Sequence, residues 1–183
     1  MVSVTAETGP LDTLGGHLDG ITWRVTLDAD GTPLLYDVMH NCGCYHIFFP
    51  TPKLRRKTFD DWNEESLWSP FTVPADWHDP PSIHLASRSH YVEALSSGST
   101  EHGMRLMGVR DYDSLRSLPA GDGRWASLFD ANGLIPSTVR LERWLLWSTG
   151  VRSPGAMRQW GHHATAFIGR RHFDDADLIE RYF

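Results

Sequence analysis

From Thr22 onwards the chain settles into a period of two: Trp23, Val25 and Leu27 alternate with Thr22, Arg24, Thr26 and Asp28. In an extended backbone alternate side chains point to opposite faces, so this stretch reads as a strand with one buried face. Asp28-Ala29-Asp30-Gly31 follows at once. Short carboxylates and a glycine able to take positive φ make it a hairpin turn. A calcium loop would need further spaced oxygen ligands and a closing glutamate. A second extended run, about Leu34 to Phe49, then folds back on the first. It is longer than most strands, so a bulge is expected near Gly43.

The remaining segments extend that start. Residues 1–20, rich in Gly, Thr and Asp, read as a loose lead-in, and residues 50–80, rich in proline and tryptophan, as a long ordered loop excursion. Ser82 to Ser87 has strand character, with Ile83 and Leu85 on one face, and Ser96 to Thr100 reads as a flexible loop. Met104 to Val109 reads as a strand and Tyr112 to Leu118 as a short helix or turn, while the type of the apolar piece Arg140 to Trp147 stays open. Ala164 to Ile168 suits a buried strand. Asp174 caps a last helix over residues 174–183, in which Leu178 meets Tyr182 and Ile179 meets Phe183 at i, i+4. The expected fold class is α+β, mainly β: an antiparallel β-sandwich-like core, a long Pro/Trp-rich loop and a C-terminal helix, in one domain of 183 residues.

Composition narrows the function classes. With 40 % hydrophobic and 22 % charged residues the chain is able to build a core. A net charge of −6 argues against a nucleic-acid partner. The basic run Lys53 to Lys57 is followed by Asp60, Asp61, Glu64 and Glu65, so it reads as a compensated, solvated loop. No stretch reaches the ~20 apolar residues of a membrane-spanning helix, and the first residues lack a secretory signal, so a cytoplasmic location is expected unless the chain is a fragment. Eight scattered tryptophans read as core and loop anchors rather than as a sugar-stacking surface.

The segment richest in chemistry is His40-Asn41-Cys42-Gly43-Cys44-Tyr45-His46. On one continuous strand His40, Cys42, Cys44 and His46 would share a face, and thiolate and imidazole are donors that zinc and copper prefer. His40 and His46 would lie ~20 Å apart at ~3.3 Å per residue, so one ion takes neighbouring donors only. Further ligands would come from elsewhere, among them His17, His84, His90, His162 and His163. The other reading is a thiol-lined pocket or plain core, since free cysteine packs as a small hydrophobe. Vicinal thiols also admit a redox role wherever an accessible thiolate forms. Gly161-His162-His163 and Arg170 to Asp175 gather groups suited to an anion site or an acid/base pair, although Asp174 and Asp175 are explained by a turn and helix capping. Neither a nucleophile elbow nor a glycine-rich phosphate loop is present in the sequence.

Three stretches, taken in order, resemble a known family. Gly16-His17-Leu18-Asp19-Gly20-Ile21-Thr22-Trp23 is similar to the Gly-x-His-x-Gly-Asp-Trp-Glu-His segment of Vps62-related proteins, with a distant echo in necrosis-inducing proteins. Asp30-Gly31 followed by Tyr36 to His40 resembles the next strand, which ends in histidine, and Pro81 to Tyr91 resembles their Tyr-x-Ala-x-Gly-Ser-His-Ala segment. The resemblance covers residues 16–93 and implies a β-sandwich with a polar or metal site between strand ends. His17, His40 and His90 keep the family's places; Thr22, Arg24 and Val25 replace its Asp, Glu and His, and Cys42 and Cys44 are new. The expected function is a β-rich binding or interaction domain with a protein partner, one part of a larger assembly. The alternative is a zinc- or copper-binding protein using Cys42, Cys44, His40, His46, His90 and His17, extended to a metal-dependent hydrolase.

Overall fold

The computed structural model of the chain describes residues 4–5, 12, 15–17, 20–43, 45–58, 68–77, 79–87, 90–98, 107–162 and 177–183. The described residues are mainly β, with antiparallel pairing and few helices. Strands β1 (Val4–Thr5) and β2 (Gly16–His17) form a short pair. β3 (Ile21–Leu27), β4 (Pro33–His40) and β5 (Ile47–Pro50) form a three-stranded sheet with β4 in the middle. β6 (Pro81–Leu85) pairs with β7 (Val92–Ser97), and β8 (Leu118–Gly121) with β9 (Arg124–Ala126). Helices α1 (Glu142–Leu145) and α2 (Leu178–Tyr182) are each a single turn or little more. Among the described residues no helix is long and apolar enough to cross a membrane.

The expected hairpin turn is present. Asp28 N–H donates to the Thr32 carbonyl (2.8 Å), Gly31 takes φ +83°, and the Asp30 carboxylate accepts from Thr32 N–H. The long second strand is not continuous. Gly43 N–H donates to the His40 carbonyl (2.8 Å), Gly43 sits at φ +87°, and the chain reverses, so Val38 faces Ile47 across an antiparallel ladder. What looked like one strand with a bulge is two strands and a turn, because Asn41 and Gly43 supply turn chemistry in mid-run. Several other expectations shift. β7 runs into the stretch read as a loop at Ser96, and residues 107–109 carry no regular structure, whereas the short helix or turn expected at Tyr112 is present as a 3-10 turn over Tyr112–Arg116. The described part of the last helix begins at Leu178; Asp174 and the Ala164 to Ile168 segment lie outside the described residues.

The two faces of the central sheet are covered differently. On one face Val38, Ile47 and Phe49 pack with Val73 from the proline-rich loop and with Leu95 from β7, flanked by Trp23, Tyr36 and Trp77. That places the β6–β7 hairpin and the 70s loop over this face. On the other, Leu35 and Phe48 pack against Tyr182 of α2, with Leu54, Ile179 and Phe183 around them. Tyr182 is thus a core residue, and Lys57 N–H donates to its carbonyl (2.9 Å). The edge strand β3 is less buried than its alternation promised: Val25 is 40 % and Leu27 53 % exposed. Tryptophan is not mainly a core residue here either, since Trp68, Trp125, Trp144, Trp147 and Trp160 are all exposed.

The face under α2 also carries charge. Asp37, in mid-β4, is fully buried. Its Oδ1 accepts from Arg24 Nε (3.0 Å), and its Oδ2 from Arg24 Nη2 (2.8 Å) and His46 Nε2 (2.7 Å). One carboxylate therefore joins β3, β4 and the entry to β5. Removing one member of a buried ion pair costs more than replacing the whole set by apolar groups. Asp37→Ala is expected to lower stability by about 3–5 kcal/mol in urea denaturation. The triple replacement Arg24→Met, Asp37→Leu and His46→Leu should stay within about 1 kcal/mol of wild type. Equal losses in the two proteins would show that the carboxylate is not the organising contact.

Candidate functional site

The turn at residues 41–43 decides where the predicted donors go. His40 closes β4 on the hairpin-covered face, while His46, just before β5, lies on the opposite face, its ring 4.1 Å from that of Phe48 and bonded to Asp37. Cys42 is buried in the turn at 3 % exposure, as a small apolar filler would be. Cys44 lies outside the described residues, as do His163 and Arg170 to Asp175. The reversal of the chain thus puts His40 and His46 on opposite faces of the sheet. Among the described residues no group of three or more His, Cys, Asp or Glu side chains is arranged to hold a metal ion.

Two of the predicted histidines do meet. His40 Nε2–H donates to the His90 carbonyl (3.2 Å), and Gly20 N–H donates to His90 Nδ1 (3.3 Å). Tyr45 and Tyr91 close around His40, at ring centroid distances of 5.2 and 5.0 Å, and pack on each other edge to face at 4.5 Å. Tyr45 and His90 both take left-handed backbone angles, φ +57° and +56°. Nearby, the Thr22 hydroxyl donates to Asn41 Oδ1 (2.8 Å), and Asn41 O accepts from Arg158 N–H (2.9 Å). The last bond ties the sheet end to the second half of the chain. His17 belongs to β2; its neighbour Gly16 lies against the Arg140 side chain.

Burial is the largest influence on His40 and holds its imidazolium below the ordinary histidine value. The hydrogen bond to the His90 carbonyl opposes that shift, and positive charge on His90 and Arg140 reinforces it. His40 is therefore neutral at pH 7.

A second feature went unforeseen. α1 and the 3-10 turn after it (Trp147–Thr149) present Leu141 at 45 %, Trp144 at 64 %, Leu145 at 65 % and Trp147 at 74 % exposure. The buried residue of α1 is Glu142, whose Oε1 is 2.8 Å from Arg140 Nη2 with both side chains nearly out of solvent. The Glu142 carboxylate and the Arg140 guanidinium fill the space where Gly155 would carry a Cβ. The short helix is thus inverted, with charge inside and tryptophan outside. Arg143 stacks over Trp144 at 4.7 Å, and these two residues, with Trp147, Val151 and Arg152, line an open groove of about 420 Å³. Gly150 (φ +73°) ends the turn and bounds the same groove.

The depressed His40 value gives a signed pH effect. The unfolded chain takes up a proton near the ordinary value of 6.5 while the native state does not. The His40 contribution is fully present above 6.5 and is lost as pH falls through that value towards the lower native one. Urea midpoints measured from about pH 7.5 down to about pH 5 should decline, and the decline should be shallower in His40→Gln. The His40 ring-proton titration followed by NMR should have its midpoint below 6.5; a midpoint above it would contradict the burial argument.

Compared with family models, with curated proteins and with solved structures, the chain matches none of them.

Proposed function

We propose that this chain is a binding domain that docks a partner protein on the Trp144–Trp147 surface, as one part of a larger assembly. The observation that carries the reading is the inverted helix: four large apolar side chains of one short segment face solvent while its glutamate is buried. An exposed apolar cluster of this kind costs solubility unless something covers it. Tryptophan and arginine are also the residues most enriched where binding energy concentrates. Both ionisable groups lining the groove, Arg143 and Arg152, are cationic. Its occupant is therefore an acidic, apolar protein segment, even though the whole chain is itself net negative.

The reading is tested with synthetic amphipathic peptides of matched hydrophobicity, acidic in one set and basic in the other, titrated against the full chain. Acidic peptides should bind, and Trp144→Ser/Trp147→Ser should weaken them by about tenfold or more. Both substituted positions are solvent-facing, so thermal stability should hardly change. Failure of acidic peptides to bind, or equal binding of basic ones, would sink the idea. Self-association of the wild type that the double variant abolishes would name a second copy of the chain as the occupant instead.

A transition-metal role is the second reading, favoured by the meeting of His40 and His90 at a sheet end that Arg140 links to β2, the strand of His17. The Vps62-like resemblance points to the same three histidines and to a sandwich, for which the packing of the β6–β7 hairpin on the central sheet is support. Elemental analysis of protein purified without added metal or chelator decides the matter. About one zinc or copper ion per chain, lost in His40→Gln/His90→Gln, would uphold this reading; metal-free wild type would end it.

A further inference from the structure

Away from both sites, a cavity of about 280 Å³ opens beside the β3–β4 turn. Its apolar lining is Tyr36 from β4, Val73 and Trp77 from the proline-rich loop, and Pro33, Pro52 and Pro74. The two rings are held in place by their neighbours. Tyr36 stacks on Trp23 with centroids 5.6 Å apart, and Trp77 packs edgewise on Phe71 at 6.4 Å, its backbone N–H donating to the Pro74 carbonyl (3.2 Å). Burial pushes the Tyr36 phenol above its ordinary value, so the ring stays un-ionised at neutral pH.

The charged lining sets the sign of the ligand. Lys53 Nζ lies 3.3 Å from Asp28 Oδ2 and 3.8 Å from Asp30 Oδ2, so two turn carboxylates already offset its charge. Asp79, exposed and also in the lining, forms no ion pair among the described residues. The local balance is negative next to a tyrosine and a tryptophan. An anion would be repelled there. Among the described residues a bare metal ion would find the Asp79 carboxylate and no group of three or more His, Cys, Asp or Glu side chains arranged to hold it. An alkylated ammonium group suits the lining better: its methyl groups match proline and valine walls, and its diffuse charge is attracted both by aromatic faces and by the carboxylate.

We infer that this cavity binds a small organic cation, a quaternary or methylated ammonium headgroup held by Tyr36, Trp77 and Asp79. The volume of about 280 Å³ lies just below the usual range for ligand sites, roughly 300–1,000 Å³, which suits a headgroup with a short tail. The inference is independent of the Trp144–Trp147 surface, so either can fail alone.

The experiment titrates the full chain with choline and with its uncharged isostere 3,3-dimethylbutan-1-ol, following tryptophan fluorescence and heat. Choline should bind saturably in the millimolar range or tighter, and the isostere about tenfold more weakly. Asp79→Asn should weaken choline several-fold and leave the isostere unchanged. Trp77→Leu should abolish choline binding, but it also removes packing on Phe71, so the exposed Asp79 substitution carries the decision. No saturable choline binding, equal binding of the isostere, or an unchanged affinity in Asp79→Asn would each overturn the inference.

Discussion

A carboxylate shut away from water has to be answered by positive or hydrogen-donating groups, and Asp37 recruits them from both neighbouring strands. Arg24 reaches it from β3 with two bonds and His46 from the approach to β5 with one. This requirement does more than neutralise a charge. A one-residue slip of β4 would turn Asp37 to the face where Val38 packs with Val73 and Leu95, away from Arg24 and His46. The ion cluster and the hydrophobic layers therefore specify the same register. With register set, the two faces acquire distinct covers, α2 on one side and the β6–β7 hairpin on the other.

The second half of the chain is joined to this sheet through its His40 end. Asn41 accepts from Arg158, and the Arg158 guanidinium in turn donates to the carbonyls of Arg152, Ser153 and His162. Arg140 lies against Gly16 of β2 and bonds to Glu142. One set of buried arginines thus connects the imidazole–phenol cluster to the segment that displays Trp144 and Trp147. The groove is consequently fixed relative to the sheet rather than hanging from a loose linker.

How much of this was legible in the sequence differs from element to element. β3, the Asp28–Gly31 turn, β6, the turn at Tyr112 and the α2 packing face were readable because each is a local pattern: a period of two, a turn tetrapeptide, or an i, i+4 pair. The break inside Leu34 to Phe49 was hidden because alternation of His and Cys fits a strand as well as it fits a turn containing Asn41 and Gly43. The burial of Asp37 depends on partners 13 and 9 residues away in the chain. The inversion of α1 depends on Gly155, whose missing side chain leaves room for the Glu142–Arg140 pair. No local pattern records a hole supplied by a distant glycine, so an apolar run there reads as core when it is surface.

Tyr45 and His90 hold a backbone conformation that costs a side-chain-bearing residue roughly 1–2 kcal/mol, and both sit in the cluster around His40. Glycine at either place would relieve that cost and delete a ring. Anyone breeding this protein for heat tolerance would meet such replacements early, because they look like inexpensive gains. Each would loosen the one corner where imidazole, phenol and the far half of the chain converge. Thermal hardiness and an intact sheet end are, in this molecule, competing goods.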